Sequence, residues 1–342
     1  MFNELKKAIL EKADVFTEIL GQTKAKDQLK SALLMDRHVL IIGPAGIGKT
    51  TLAKNVAKLL PDAVVNDCPY NCDTKNPSCP ECKAKKPKTK KIEGEKRFVR
   101  IQGSPDLTVE DLIGDIDPIK AMKFGPLSTE AFVPGKIFKA NNGVLFFDEL
   151  NRCPEKLQNA LLQVLSEGKA TIGSYDVDFE TNFIFIATMN PEDASTEKLS
   201  DVLMDRFDVI YMSYPETLEI EKDIVVKKSK SIKEISFDSK LIDLMVLFVR
   251  LLRESNKLEK FPSVRASIGL YERAQSNALM AKRKNVSWEN IADAIVSVIS
   301  HRIKLKPSFQ YLQSNEDFIK DEIKKFSKEK HLDYEEEQGG SL

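Results

Sequence analysis

Between residues 14 and 213 short apolar runs alternate with amphipathic stretches, the pattern of a parallel sheet covered by helices. The runs occupy residues 38–42, 98–102, 144–147 and 183–188. From Tyr214 onward no run is bounded like a strand, and helical spacing takes over. Leu241, Leu244, Met245, Phe248 and Leu252 share one helical face, and Trp288, Ile291, Ile295 and Ile299 share another. The pattern predicts an α/β core over residues 1–213 and a helical domain over residues 214–326. Residues 327–342, with Glu335, Glu336 and Glu337 and a Gly-Gly-Ser segment, predict a frayed tail. No internal repeat is found.

The chain has 342 residues, which suits a large domain plus a smaller one. Lys plus Arg and Asp plus Glu are equal at 52 each. This balance argues against a surface devoted as a whole to nucleic acid or anionic lipid. Residues 1–12 carry Leu5, Ile9 and Leu10 among charges and do not read as a signal peptide. No run approaches the roughly 18 apolar residues that span a membrane, so a cytoplasmic protein is expected. Four of the five cysteines crowd between Cys68 and Cys82, which suits a reducing compartment and a metal site better than a disulfide scaffold.

Gly43, Pro44, Ala45, Gly46, Ile47, Gly48, Lys49 and Thr50 match G-x-x-x-x-G-K-[ST], directly after the strand expected at residues 38–42 and before a helix expected at residues 51–60. In that setting the glycines let successive N–H groups face phosphates, and the helix start, with Thr51, adds partial positive charge. Lys49 is expected to reach the β- and γ-phosphates and Thr50 to ligate Mg²⁺. A glycine turn that binds nothing is the alternative. Residues 144–147 lead into Asp148 and Glu149, two carboxylates at the carboxyl edge of the sheet, where ligands bind. Asp148 is expected to hold magnesium through water, and Glu149 to polarise the attacking water as general base. Taken alone, the pair could be a solvated turn.

These motifs, followed by Ile186 to Pro191 and by Met204, Asp205, Arg206 and Phe207, resemble AAA+ ATPases related to magnesium chelatase I subunits and MoxR proteins. The resemblance covers roughly residues 16–303. It implies that Asn190 is the polar residue that positions the lytic water, although a turn-forming Asn before proline is also common. It implies that Arg206 is an arginine finger serving the neighbouring subunit, with a surface arginine in an ordinary ion pair as the alternative, and that Arg265 is the arginine of the helical lid, touching its own subunit's nucleotide or a neighbour's. Ile19 is implied as the adenine contact, although a helix-starting turn explains its segment equally well. An insertion at residues 113–142, broken by glycine and proline into loop or hairpin, and a hairpin at residues 170–180 become candidates for touching substrate. A ring, expected to be a hexamer, and a separate partner with an integrin-like metal-binding domain also follow from the resemblance.

Within a cysteine-rich insertion, residues 66–97, Cys68, Cys72, Cys79 and Cys82 offer four thiolates. Their spacing suits a closed tetrahedral Zn²⁺ site, with an iron–sulfur cluster as the rival. Cys153 reads as a packed thiol. The lysine-rich residues 83–97 read as a solvated loop, with nucleic acid or an acidic partner as the alternative. Three functions are open: an ATP-driven remodeller acting in metal insertion or maturation of a cofactor-containing protein, a DNA-dependent motor of the minichromosome-maintenance type, and a nucleotide switch without turnover. The stretch before Phe16 is too short for an added DNA-binding domain, and Glu149 with Arg206 speaks for turnover.

Overall fold

A computed structural model describes residues 2–85, 87–125, 128–171, 178–193 and 198–332. The chain divides into two units, Met1–Gly43 with Gly48–Met212, and Pro44–Ile47 with Ser213–Leu342. The first unit is built on five strands, β1 (His38–Ile42), β2 (Phe98–Gln102), β3 (Val144–Asp148), β4 (Ile184–Met189) and β5 (Phe207–Tyr211). They lie in the order β5-β1-β4-β3-β2, and every neighbouring pair is parallel. Burial explains the text of these strands. The middle three are buried along nearly all their length, so β1, β3 and β4 read as largely apolar runs. Edge strand β5 was not expected, because Asp208 interrupts its apolar text and only Phe207 and Ile210 are buried.

Because all five strands point one way, the segments that follow them emerge along a single edge. The helix after β1 spans Lys49–Lys58, beginning two residues before the expected start and ending two before the expected end. The insertion at residues 113–142 contains the expected hairpin, Gly114–Ile116 against Phe132–Pro134, and also a short helix, Pro118–Phe124, capped by Asp117. Strands Lys169–Thr171 and Asp178–Glu180 pair antiparallel, as the second hairpin requires, while its tip at residues 172–177 lies outside the described residues.

Lysine-rich residues 83–97 are not the solvated loop expected from charge. Thr89–Ile92 forms a strand antiparallel to Ala63–Asn66, with Lys90 paired to Asp67 and Lys91 to Asp62. Arg97 is buried and donates to the carbonyls of Asn142 and Pro61, which fixes the start of β2.

The second unit packs Leu218–Lys228, Ser239–Arg253, Val264–Met280, Trp288–Ile299 and Asn315–Glu329 around an apolar cluster. Glu221 is fully buried at its centre. Arg253 grips both its carboxylate oxygens at 2.7 Å, and the Ser267 hydroxyl donates a third bond of 2.7 Å, so the buried charge is paired and satisfied. Two features depart from expectation. Leu258–Lys260 and Lys304–Leu305 form a small antiparallel pair, too short to show as an apolar run. The tail does not begin at Ser327, because that residue is buried in the last helix and accepts a hydrogen bond from Trp288 Nε1 at 2.8 Å. Charges between Phe318, Ile319, Ile323 and Phe326 hide the apolar face of that helix in the sequence. Residues 333–342 lie outside the described residues.

Candidate nucleotide site and cysteine cluster

The loop after β1 has the backbone its glycines allow: Gly46 and Gly48 have φ of 74° and 102°, in the left-handed region. A Cβ at Gly48 would fall 3.1 Å from Ile19 Cδ1, which places the buried Ile19 side chain against the loop. Gly43 N–H donates to the Met189 carbonyl at 3.2 Å, tying the loop to the end of β4. Lys49 is buried and its ammonium donates to the Gly43 carbonyl, so the lysine folds back across the loop it follows. Within the second unit, a Cβ at Gly46 would lie 2.8 Å from Ser263 Oγ and 3.1 Å from Arg265 Cγ. Arg265 itself is exposed at the first turn of its helix.

The two carboxylates at the end of β3, Asp148 within it and Glu149 just after, are held by bonds that the sequence did not reveal. Thr188, fully buried at the end of β4, donates to Asp148 Oδ1 at 2.7 Å and accepts the Glu149 N–H at 3.0 Å. The signal was present in the text: one hydroxyl among apolar residues, in the strand next to the acidic one. Arg100 and Gln102 on β2 add to this. Arg100 Nη2 reaches Asp148 Oδ2 at 2.6 Å, and Gln102 Nε2 donates to Glu149 Oε2 at 3.0 Å. Arg152 Nε stands 3.3 Å from Glu149 Oε2 and also donates to Asp193 Oδ2 at 2.7 Å. Glu149 has φ of 57°, and a Cβ at Gly103 would lie 2.1 Å from its carbonyl oxygen, so a glycine must follow β2 for the acidic turn to approach it.

The Thr50 hydroxyl lies 3.4 Å from Asp148 Oδ2, although 98 residues separate them. Two oxygen donors facing each other beneath a loop of backbone N–H groups are what a magnesium-bound triphosphate needs, and the residues present fit it. Asn190 follows β4 on the same edge. Its Oδ1 accepts the Glu192 N–H at 3.2 Å, the turn use that its sequence allowed, and its amide nitrogen makes no hydrogen bond among the described residues. Arg206 is not brought to this edge. It stands before β5, whose Phe207 pairs with His38, while the phosphate loop follows the Ile42 to Tyr211 pairing. The strand places them about 16 Å apart. Arg206 is exposed, and no carboxylate pairs with it among the described residues.

Residues 15–90 match the family described as magnesium chelatase, subunit ChlI, and residues 80–209 the ATPase family associated with various cellular activities (AAA). Residues 261–322 match the AAA lid domain. The chain is an AAA+ ATPase, similar to magnesium-chelatase subunit ChlI. It is thus an ATP-hydrolysing enzyme. The AAA+ chain is 27% identical to the magnesium-chelatase subunit ChlI homolog of Methanocaldococcus jannaschii, over 93% of each. It is 34% identical to chloroplastic magnesium-chelatase subunit ChlI-2 of Arabidopsis thaliana, over 56% of this chain and 46% of that one. A point mutant of RuvB from Thermotoga maritima is alike in fold alone, with TM-score 0.50 and 17% identity over 82% of this chain and 71% of that one. Among the described residues no helix of this AAA+ ATPase is long and apolar enough to cross a membrane.

Away from the nucleotide edge, the sulfurs of Cys68, Cys72, Cys79 and Cys82 all lie within 4.8 Å of one another, and all four residues are buried. A tetrahedral zinc ion with bonds of about 2.3 Å sets sulfurs about 3.8 Å apart, so the cluster fits that ion. Backbone N–H groups point at the sulfurs: Cys72 N to Cys68 Sγ at 3.4 Å, Cys79 N to Cys72 Sγ at 3.3 Å and Cys82 N to Cys79 Sγ at 3.5 Å. Such donors favour thiolates. Hydrogen bonds from Cys68 and Cys79 hold the Cys72 thiol well below its ordinary value, and burial pushes Cys82 up to about 11. Cys153 lies apart, fully buried in the core.

Proposed function

We propose that this AAA+ ATPase is a ring-forming remodelling subunit, similar to magnesium chelatase I and MoxR proteins, that acts on a separate partner in metal insertion or in maturation of a cofactor-containing protein. Residues 43–51 cradle the phosphates, with Lys49 as counter-charge, and Thr50 and Asp148 would hold a magnesium ion, which would supply charge neutralisation on the phosphate oxygens. Glu149 accepts a proton from the attacking water, and the Asn190 amide orients that water. Arg265 is the lid arginine, serving the nucleotide of its own copy or of a neighbour, and Ile19 contacts adenine.

The observation that carries the ring is the place of Arg206. A guanidinium at the far end of the sheet from its own phosphate loop, exposed and without a carboxylate partner among the described residues, is free to reach another copy's site, which supports the ring. Such an arginine contributes about 10³-fold or more to phosphoryl transfer. Zinc in the cysteine cluster is structural in this reading, supported by the sulfur spacing and the N–H groups aimed at it. The cytoplasm, or another reducing compartment, would keep these thiols free.

Mixing tests the assignment. Arg206→Ala and Glu149→Gln chains are each expected to lose at least about a hundredfold in ATPase rate. Mixed, they should regain activity, because wild-type Glu149 of one copy meets wild-type Arg206 of the next. No recovery in demonstrably mixed rings removes the in-trans role. Strong stimulation of turnover by DNA and by no protein would favour a motor instead.

A further inference from the structure

The two oxygens of Asp148 face different partners. Oδ1 accepts the buried Thr188 hydroxyl, whereas Oδ2 accepts Arg100 Nη2 at 2.6 Å and the Thr50 hydroxyl at 3.4 Å. Arg100 stands on β2 opposite Phe146, two residues before the position opposite Asp148. Its side chain therefore runs along the sheet to reach the carboxyl edge. There the same Nη2 also donates to Gln102 Oε1 at 3.0 Å. The Arg100 side chain is 48% exposed and that of Asp148 only 13%.

Oδ2 is the oxygen that Thr50 approaches, hence the one positioned to share an ion with the Thr50 hydroxyl. A guanidinium and a divalent cation on one oxygen would set two positive centres a few ångströms apart, where their repulsion is strong. One of them must yield. Arg100 can, because it is half in water and loses only an exposed ion pair, while Asp148 stays fixed through Thr188.

We propose that Arg100 is a positioning residue that competes with magnesium for Asp148 Oδ2 and so sets the magnesium concentration at which the site takes up nucleotide. The proposal rests on the reading of Asp148 as the magnesium-facing carboxylate. It makes the ion requirement a property of the strand next to the acidic one, and any movement of β2 a means of releasing or withholding Asp148.

The test is a magnesium titration of the full chain with a fluorescent N-methylanthraniloyl ATP, read as nucleotide bound rather than turned over. Arg100→Gln should lower the half-saturating magnesium concentration by about threefold to fivefold, the scale of an exposed ion pair. Arg100→Lys, which keeps the charge, should return it toward the wild-type value. Asp148→Asn should raise it by about tenfold or more. If Asp148→Asn raises the midpoint but Arg100→Gln leaves it unchanged or raises it, the competition is wrong while the role of Asp148 stands. If Asp148→Asn has no effect, the magnesium-facing reading itself fails, and the competition with it.

Discussion

The carboxyl edge of the sheet and the cysteine segment make their sites in opposite ways. At the edge, Thr50, Asp148 and Thr188 come from positions far apart in the chain, and parallel pairing of buried strands brings them together. Apolar burial does the assembling, and the chemistry rides on strand ends. Between Cys68 and Cys82, fifteen residues with few large apolar side chains bring four sulfurs within 4.8 Å. The sulfurs and their N–H donors hold the segment to itself, together with the Asn71 N–H on the Cys68 carbonyl at 3.2 Å and the Lys75 and Asn76 N–H groups on Asp73 Oδ1. It joins the core through Tyr70 and the four cysteines, which lie in its apolar cluster, and through amides: Asn141 Nδ2 donates to the Tyr70 carbonyl, Asn142 Nδ2 to that of Asn71, and Tyr70 meets Phe138 edge to face at 5.2 Å. The first site should survive loss of any one polar contact, and the second should depend on its ligand.

The largest expected effect follows from that dependence. Removing bound zinc with a chelator, or replacing Cys79 with serine, should destabilise the chain by several kcal/mol, on the order of 3 or more, because the metal's binding energy is folding energy for a segment without its own core. Thermal melting measures the loss. Nucleotide affinity of whatever remains folded should change by less than about threefold, since the cluster sits apart from the phosphate edge. A purified chain with neither zinc nor iron in stoichiometric amount, melting no lower after chelation, would break the contrast.

A smaller effect belongs to the sheet. His38 opens β1 against the Phe185 ring, with centroids 6.2 Å apart, and burial, helped by the Arg37 charge, lowers its pKa to about 4 from an ordinary 6.5. The folded chain therefore keeps His38 neutral where the unfolded chain takes up a proton. This contribution is fully present above about pH 6.5 and is lost as pH falls toward 4, reaching up to about 3 kcal/mol. His38→Gln should flatten that part of the stability curve, measured by urea unfolding at stepped pH. An unchanged slope would mean that His38 is open to water.

Much of the edge was legible because its motifs are short and its strands are buried on both faces. β1, β3 and β4 show as apolar runs, and Gly43 to Thr50 and Asp148 with Glu149 follow two of them directly. What stayed hidden was set by tertiary pairing. Arg100, Gln102 and Thr188 bear on the carboxylates only because β2 and β4 flank β3, and strand order is not written locally. Charge misled twice. The lysines at residues 90 and 91 suggested a solvated loop but pair with Asp67 and Asp62 on a strand, and the charges of Asn315–Glu329 masked a helix whose apolar face is buried.

Calorimetric titration of ATP into the chain tests the nucleotide edge most directly. With magnesium present, uptake of about one nucleotide per chain is expected, and Lys49→Ala, which removes the cation behind the loop, should weaken it by about tenfold or more, roughly the cost of an unpaired charge contact in such a site. Absence of any heat of binding with magnesium, or affinity untouched by Lys49→Ala, would contradict the placement of a triphosphate at this edge.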